Sequence, residues 1–137
     1  MGVLIKGPKT KGKLFHSEVW GGVPYSECLV SIDDGAEAIL EGNTIRNGNN
    51  AGVIIGGMSN CVLQSNKIYG NKGAGIVVRG SGCSTLIKNT IRDHHVRTDA
   101  GLIGSGYAVF VDSTSHGLVE VREDNILLRN EKGDAIA

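Results

Sequence analysis

At 137 residues the chain has room for a single domain. Its 14 Lys and Arg balance its 14 Asp and Glu, which argues against a polyanion-binding surface running over the whole molecule and leaves only local patches. The 21 glycines against 2 prolines, the scarcity of aromatics and the lack of any apolar run near the ~20 residues of a membrane span exclude a low-complexity tail and a transmembrane helix.

The N-terminus, MGVLIKGPKTKGKLF, is too weakly hydrophobic for a signal peptide. Val3 and Ile5 alternate as in a strand, and Leu14 precedes Ser17 by the distance that separates Leu40 from Asn43. Val19 then stands where Ile45 stands, at an offset of 26 residues. This is a degraded first coil of a repeat, with its extra length in the loop WGGVPYSE, where Gly21, Gly22 and Pro24 sit. Lys6, Lys9, Lys11 and Lys13 read as a solvated end that discourages edge-to-edge pairing. A contact with anions is the sharper alternative, but no aromatics are interleaved with them.

From Val30 to Ile91 one pattern is written repeatedly with a period of 23 residues. It carries Leu40 to Leu63 to Leu86, Asn43 to Asn66 to Asn89, Ile45 to Ile68 to Ile91, and Gly52 to Gly75. A fixed period of this size marks a solenoid, whose units bury their apolar faces only by stacking on one another. Neighbouring strand residues point to opposite faces. If the leucine column faces in, so do the small residues Ala38, Cys61 and Ser84, and so do Val30 with Ile32, Val53 with Ile55, and Ile76 with Val78. Ser31, Ile54 and Val77 then face out. The asparagine column predicts a ladder of stacked amides at a corner. Parallel strands, one coil every 23 residues and inward aliphatic columns describe a parallel β-helix of about five coils, all-β throughout. The spacing of a leucine-rich repeat is missing, and the glycine and β-branched content excludes a helical repeat.

After Ile91 the register breaks in RDHHVRTDAGLIGSG and resumes at Val109 and Val111, ten residues late, which puts Phe110 in the outward row with Ile54 and Val77. A long loop on a regular solenoid is where function usually sits. This one, residues 92–106, carries Asp93, His94, His95, Arg97 and Asp99, but adjacent histidines on extended chain point apart, so no metal site is expected. In the last coil Asn125, Leu127, Asn130 and Ile136 match Asn66, Ile68, Asn71 and an inward position near Ile76. The strand at the C-terminus has no cap, so the expectation is that residues 1–137 are one β-helix domain of a longer protein, or a domain whose end a partner covers. Cys28, Cys61 and Cys83 are odd in number and lack metal-type spacing, which points to reduced thiols in the cytoplasm or nucleus.

The unit NKIYGNKGAGIVVRGSG, with GNTIRNGNNAGVIIGG before it and KNTIRDH after it, resembles the β-helix repeats of carbohydrate-binding proteins and sugar hydrolases, most closely those of F-box only protein 11-type ubiquitin ligases. The likeness covers Val30 to Asp93. It implies a single-stranded, right-handed, pectate-lyase-like helix, and, in the ligase type, capture of protein substrates for ubiquitin transfer. The motif also occurs in polysaccharide lyases, epimerases and hydrolases, so no functional residue transfers on it alone.

Two functions compete. The first is a non-enzymatic module that docks a protein on the outward row Ile54, Val77 and Phe110. The second is a carbohydrate-binding or carbohydrate-processing helix that uses the column Arg46, Tyr69 and Arg92, expected beside Asp33, Gly56, Arg79 and Asp112. Hydrolysis needs two carboxylates about 5 to 9.5 Å apart. Asp33 and Asp112 stand three coils apart, about 14 Å at the strand spacing, and Asp33 with Asp34 reads as a solvated turn. The sequence therefore favours the binding module, with a protein partner first and carbohydrate second. Neither nucleic acid nor membrane is expected as a partner, and no catalytic residue, metal or cofactor is assigned.

Overall fold

The computed structural model describes residues 2–21, 26–96, 104–112 and 117–136. The chain winds through five coils of three strands each. The first coil holds β1 (Val3–Lys6), β2 (Lys11–Phe15) and β3 (Glu18–Trp20), and the second β4 (Cys28–Asp33), β5 (Glu37–Glu41) and β6 (Thr44–Arg46). The third holds β7 (Ala51–Ile55), β8 (Asn60–Gln64) and β9 (Lys67–Tyr69), and the fourth β10 (Ile76–Val78), β11 (Cys83–Ile87) and β12 (Thr90–Arg92). The fifth holds β13 (Tyr107–Val111), β14 (Leu118–Val121) and β15 (Ile126–Leu128), and β16 (Gly133–Ile136) opens a further turn. Equivalent strands form three parallel sheets. Sheet A runs β1-β4-β7-β10-β13-β16, sheet B β2-β5-β8-β11-β14 and sheet C β3-β6-β9-β12-β15. No helix among the described residues is long and apolar enough to cross a membrane.

The register is the one the repeat dictates. Leu40 pairs with Leu63 and Leu63 with Leu86, while Ile45, Ile68 and Ile91 stack in sheet C. All six are fully buried, each gaining about 1.5–3 kcal/mol by leaving water. The column of small residues begins at Gly12, which pairs with Ala38. A Cβ on Gly12 would lie 2.7 Å from the Ile5 side chain, so the first coil closes only over a glycine. Leu14 pairs with Leu40 and Val19 with Ile45 at the 26-residue offset, and Ile76 pairs with Val109 across the insertion. One expectation is corrected in the last strand: Ala135, not Ile136, occupies the column of Val109, and Ile136 pairs with Phe110. The step from Asn130 to Ala135 equals that from Asn71 to Ile76, so the corner keeps its length and Ala135 is the equivalent of Ile76.

Two corners recur in the same form along the described coils. The predicted ladder turns sheet B into sheet C. Asn66 donates from Nδ2 to the Leu40 carbonyl and to Asn89 Oδ1, and its own Oδ1 accepts from the backbone N–H of Asn43. Asn125 continues the ladder beyond Asn89. Each rung follows a residue with positive φ: Gly42, Ser65, Lys88 and Asp124. A second ladder, which the repeat did not reveal, turns sheet C into sheet A through Asn71, His94 and Asn130. There Asn71 Oδ1 accepts from Gly48 N–H, and Asn130 Oδ1 from His94 N–H. Its rungs again follow left-handed residues, Gly70, Asp93 and Arg129. Both ladders satisfy the carbonyls and amides that a sharp corner takes out of the sheets.

Candidate functional site

Sheet C carries its outward side chains in two columns, because its three-residue strands place only the middle residue inside. One column reads Trp20, Arg46, Tyr69, Arg92 and Leu128, in unbroken register from β3 to β15. The structure thus brings together the three residues expected of a carbohydrate face and adds Trp20 below them. The Arg46 guanidinium lies 5.2 Å from the centroid of Trp20, and that of Arg92 lies 4.2 Å from the centroid of Tyr69. Such stacking holds arginines flat and orders them before any ligand arrives. Arg46 also donates from Nε and Nη2 to Glu18, at 2.8 and 2.5 Å, and Arg92 from Nη1 to Asp93 at 2.7 Å. Trp20 remains the most open member, 62% exposed. Sequence reasoning missed it, although the offset that aligns Val19 with Ile45 also aligns Trp20 with Arg46.

The acidic column expected beside these residues is elsewhere. Asp33 ends its sheet A strand, where it pairs with Lys6, and Gly56 and Asp112 donate their N–H groups to the preceding coil at the same corner, to Ile32 and Val78. That corner leads into sheet B, a strand length from the Arg46 column. Asp33 and Asp34 form a turn in which Asp34 N–H bonds Asp33 Oδ1. The two carboxylates on the sheet C face, Glu18 and Asp93, are three coils apart, about 14 Å, and each is held by arginine. Arg129 and Arg92 keep the Asp93 carboxyl far below the usual carboxylate range.

The row Ser31, Ile54, Val77 and Phe110 stacks in the expected register on the outer side of sheet A. It is not an open apolar stripe. Ile54 and Val77 are buried in a second small cluster with Cys28, Ala51 and Ala74, against which the partly exposed Phe110 packs. Gly104 sits tightly on the Phe110 ring, where an added Cβ would lie 2.3 Å away, and Tyr107 meets Phe110 at 6.0 Å between ring centroids. A one-dimensional pattern gives the side of the sheet but not what lies over it.

In the insertion the two histidines part as expected. His95 turns outward, its Nδ1 3.1 Å from Glu131. His94 is fully buried, its Nε2 3.2 Å from the Ile68 carbonyl. Burial, partly offset by the bond to the Ile68 carbonyl, pulls the His94 pKa down to about 4, so the ring is neutral at pH 7. Arg97 and Asp99 lie outside the described residues. Among those described, no three His, Cys, Asp or Glu side chains are grouped to hold a metal ion. Burial also pushes the Cys28 and Cys61 thiols up to about 11 and about 12, which makes them poor nucleophiles.

The family described as "right handed beta helix region" matches residues 28–133. The chain belongs to this family, and its solenoid is a right-handed parallel β-helix. No curated protein and no solved structure matches it significantly.

Proposed function

We propose that this right-handed β-helix is a non-enzymatic binding module that docks a protein partner on the outer face of sheet C. The single observation that carries the reading is the preordered column of Trp20, Arg46, Tyr69 and Arg92. Tryptophan, tyrosine and arginine dominate the energetics of protein interfaces, and rings already stacked with guanidiniums lose little side-chain freedom on binding. Phe110, the reachable end of the row with Ile54 and Val77, is a secondary contact. Free, poorly acidic Cys28 and Cys61 suit a reducing location, the cytoplasm or nucleus. The narrower form of the reading makes the partner a substrate captured for ubiquitin transfer, as the sequence resemblance implies.

A carbohydrate ligand is the second reading. Aromatic rings beside the Arg46–Glu18 and Arg92–Asp93 pairs would also offer a sugar chain a platform with polar edges. One comparison separates the two. Wild-type protein and a Trp20→Ala/Arg92→Ala variant are presented to a cell lysate and to an array of plant and animal glycans. A stoichiometric protein partner retained by wild type and lost from the variant, with a silent array, is the expected result. Glycan binding that the variant loses, or a protein partner that it keeps, overturns the docking reading. The narrower form further requires that the captured protein accumulate in cells depleted of this chain.

A further inference from the structure

Resting on the docking reading of sheet C, we infer that the docked segment carries a phosphorylated serine or threonine seated at Lys67, with an apolar residue three positions before it and three after. The second outward column of sheet C reads Glu18, Thr44, Lys67, Thr90 and Ile126. Lys67 is exposed, and among the described residues it has neither an ion pair nor a hydrogen bond. The hydroxyls of Thr44, one coil below, and of Thr90, one coil above, are equally free there. The other charges on this face largely cancel. Glu18 holds Arg46, and Arg129 forks onto both oxygens of Asp93, to which Arg92 makes one bond. Two arginines against one carboxylate leave one positive charge, and Lys67 adds a second beside Tyr69, over whose ring the Arg92 guanidinium lies. A phosphoserine brings a charge of about −1.5 to −2 and three acceptor oxygens, which match this surplus and the ring of donors. A glutamate side chain brings a single charge and two oxygens.

The flanking positions follow from spacing. Two coils below Lys67 the face ends on the exposed ring of Trp20, and two coils above it on the exposed side chains of Ile126 and Leu128. Each apolar end therefore stands about 10 Å from the charged centre. A polyproline II segment has three residues per turn and rises about 3.1 Å per residue, so side chains three apart share one side at about 9.3 Å. A segment in this form, laid along the solenoid axis, sets its phosphate at Lys67 while apolar side chains reach Trp20 and the Ile126–Leu128 pair. A β-strand does not fit, because residues three apart on it point to opposite sides.

The test offers the immobilised whole chain a peptide library centred on phosphoserine, with mixed residues on both sides, beside libraries centred on serine and on glutamate. Only the phosphoserine library should be retained, and the retained peptides should be enriched in apolar residues at the third position on each side. In fluorescence anisotropy with one enriched peptide, Lys67→Ala should weaken binding at least tenfold, with circular dichroism confirming that the variant folds. Trp20→Ala should remove the apolar preference at one end only. Retention of the glutamate or serine library to the same degree, retention without flanking preference, or a Lys67→Ala variant that binds as wild type does would overturn the inference. Phosphatase treatment of the lysate in the capture experiment separates it from the reading beneath it. Loss of the captured partner supports both, whereas capture that the phosphatase leaves unchanged overturns the phosphate and keeps the docking face. A lysate that yields no partner, together with libraries that all stay unbound, overturns both.

Discussion

Replacing His94 by asparagine should flatten the loss of stability in mild acid. His94 occupies a rung that Asn71 and Asn130 fill in neighbouring coils, and its Nε2 bonds the Ile68 carbonyl much as Asn130 Nδ2 bonds that of Ile91. The imitation is incomplete. Asn71 Nδ2 and His94 Nδ1, facing rungs of one ladder, are both buried without a partner, whereas in the first ladder each Nδ2 reaches the next Oδ1. The neutral ring is held to a pKa of about 4 against an ordinary 6.5, chiefly by burial, with His95 lowering it and Asp93 raising it by charge. Between those values the unfolded chain binds a proton that the folded chain refuses, so stability is full above pH 6.5 and falls as pH drops towards 4. The slope approaches ~1.4 kcal/mol per pH unit, giving a loss of about 2 kcal/mol by pH 5 and about 3 kcal/mol by pH 4. Glu131 and Asp93 have depressed pKa values, so their stabilisation is intact above the ordinary 4.5 and 3.8 of the unfolded chain and is lost progressively as pH falls below those values. Urea melts of wild type and His94→Asn at pH 7, 6, 5 and 4 isolate the term, because groups common to both chains cancel. The variant should match or exceed wild type at pH 7, since an Oδ1 at position 94 can accept from Asn71, and should exceed it by about 2 kcal/mol at pH 5. Parallel curves from pH 7 to pH 4 would show that burial does not hold His94 neutral.

Leu63→Ala should destabilise the domain by roughly 2–5 kcal/mol, whereas Lys67→Ala on the outward face of β9 should change it by under about 0.5 kcal/mol; equal shifts in urea melts would refute the inward column. Asn66→Ala should cost about 3 kcal/mol by the same measure, because the Leu40 carbonyl and the Asn43 N–H both lose their partner in a buried corner. Gly75→Ala should be destabilising despite its small volume, since the added carbon would lie 2.6 Å from the Ala108 carbonyl oxygen and 2.7 Å from His94 Nε2; a melting temperature unchanged from wild type would contradict that packing. Incubation with pectin, polygalacturonate or alginate should release neither unsaturated uronates nor new reducing ends, and release abolished by Asp33→Ala would establish catalysis.

The sequence by itself determined the period, the inward columns, the first asparagine ladder and the place of the insertion. These follow from two local rules, alternation along a strand and repetition between coils, and both are written in a single chain. Asn71 and Asn130 were visible as a match, but the second ladder was hidden because a histidine breaks it between them, and only the corner geometry shows an imidazole standing in for an amide. Tertiary structure also decided which outward columns share a surface. Arg46 and Asp33 belong to one coil, yet the angles at the corners send them to different edges. Trp20 beneath Arg46, by contrast, was legible in the offset that aligns Val19 with Ile45, and the pairing of β3 with β6 follows it. The side of the sheet on which Ile54 and Val77 lie was legible, but their burial was not, since it depends on how closely Cys28, Ala51, Ala74 and Phe110 pack beside them.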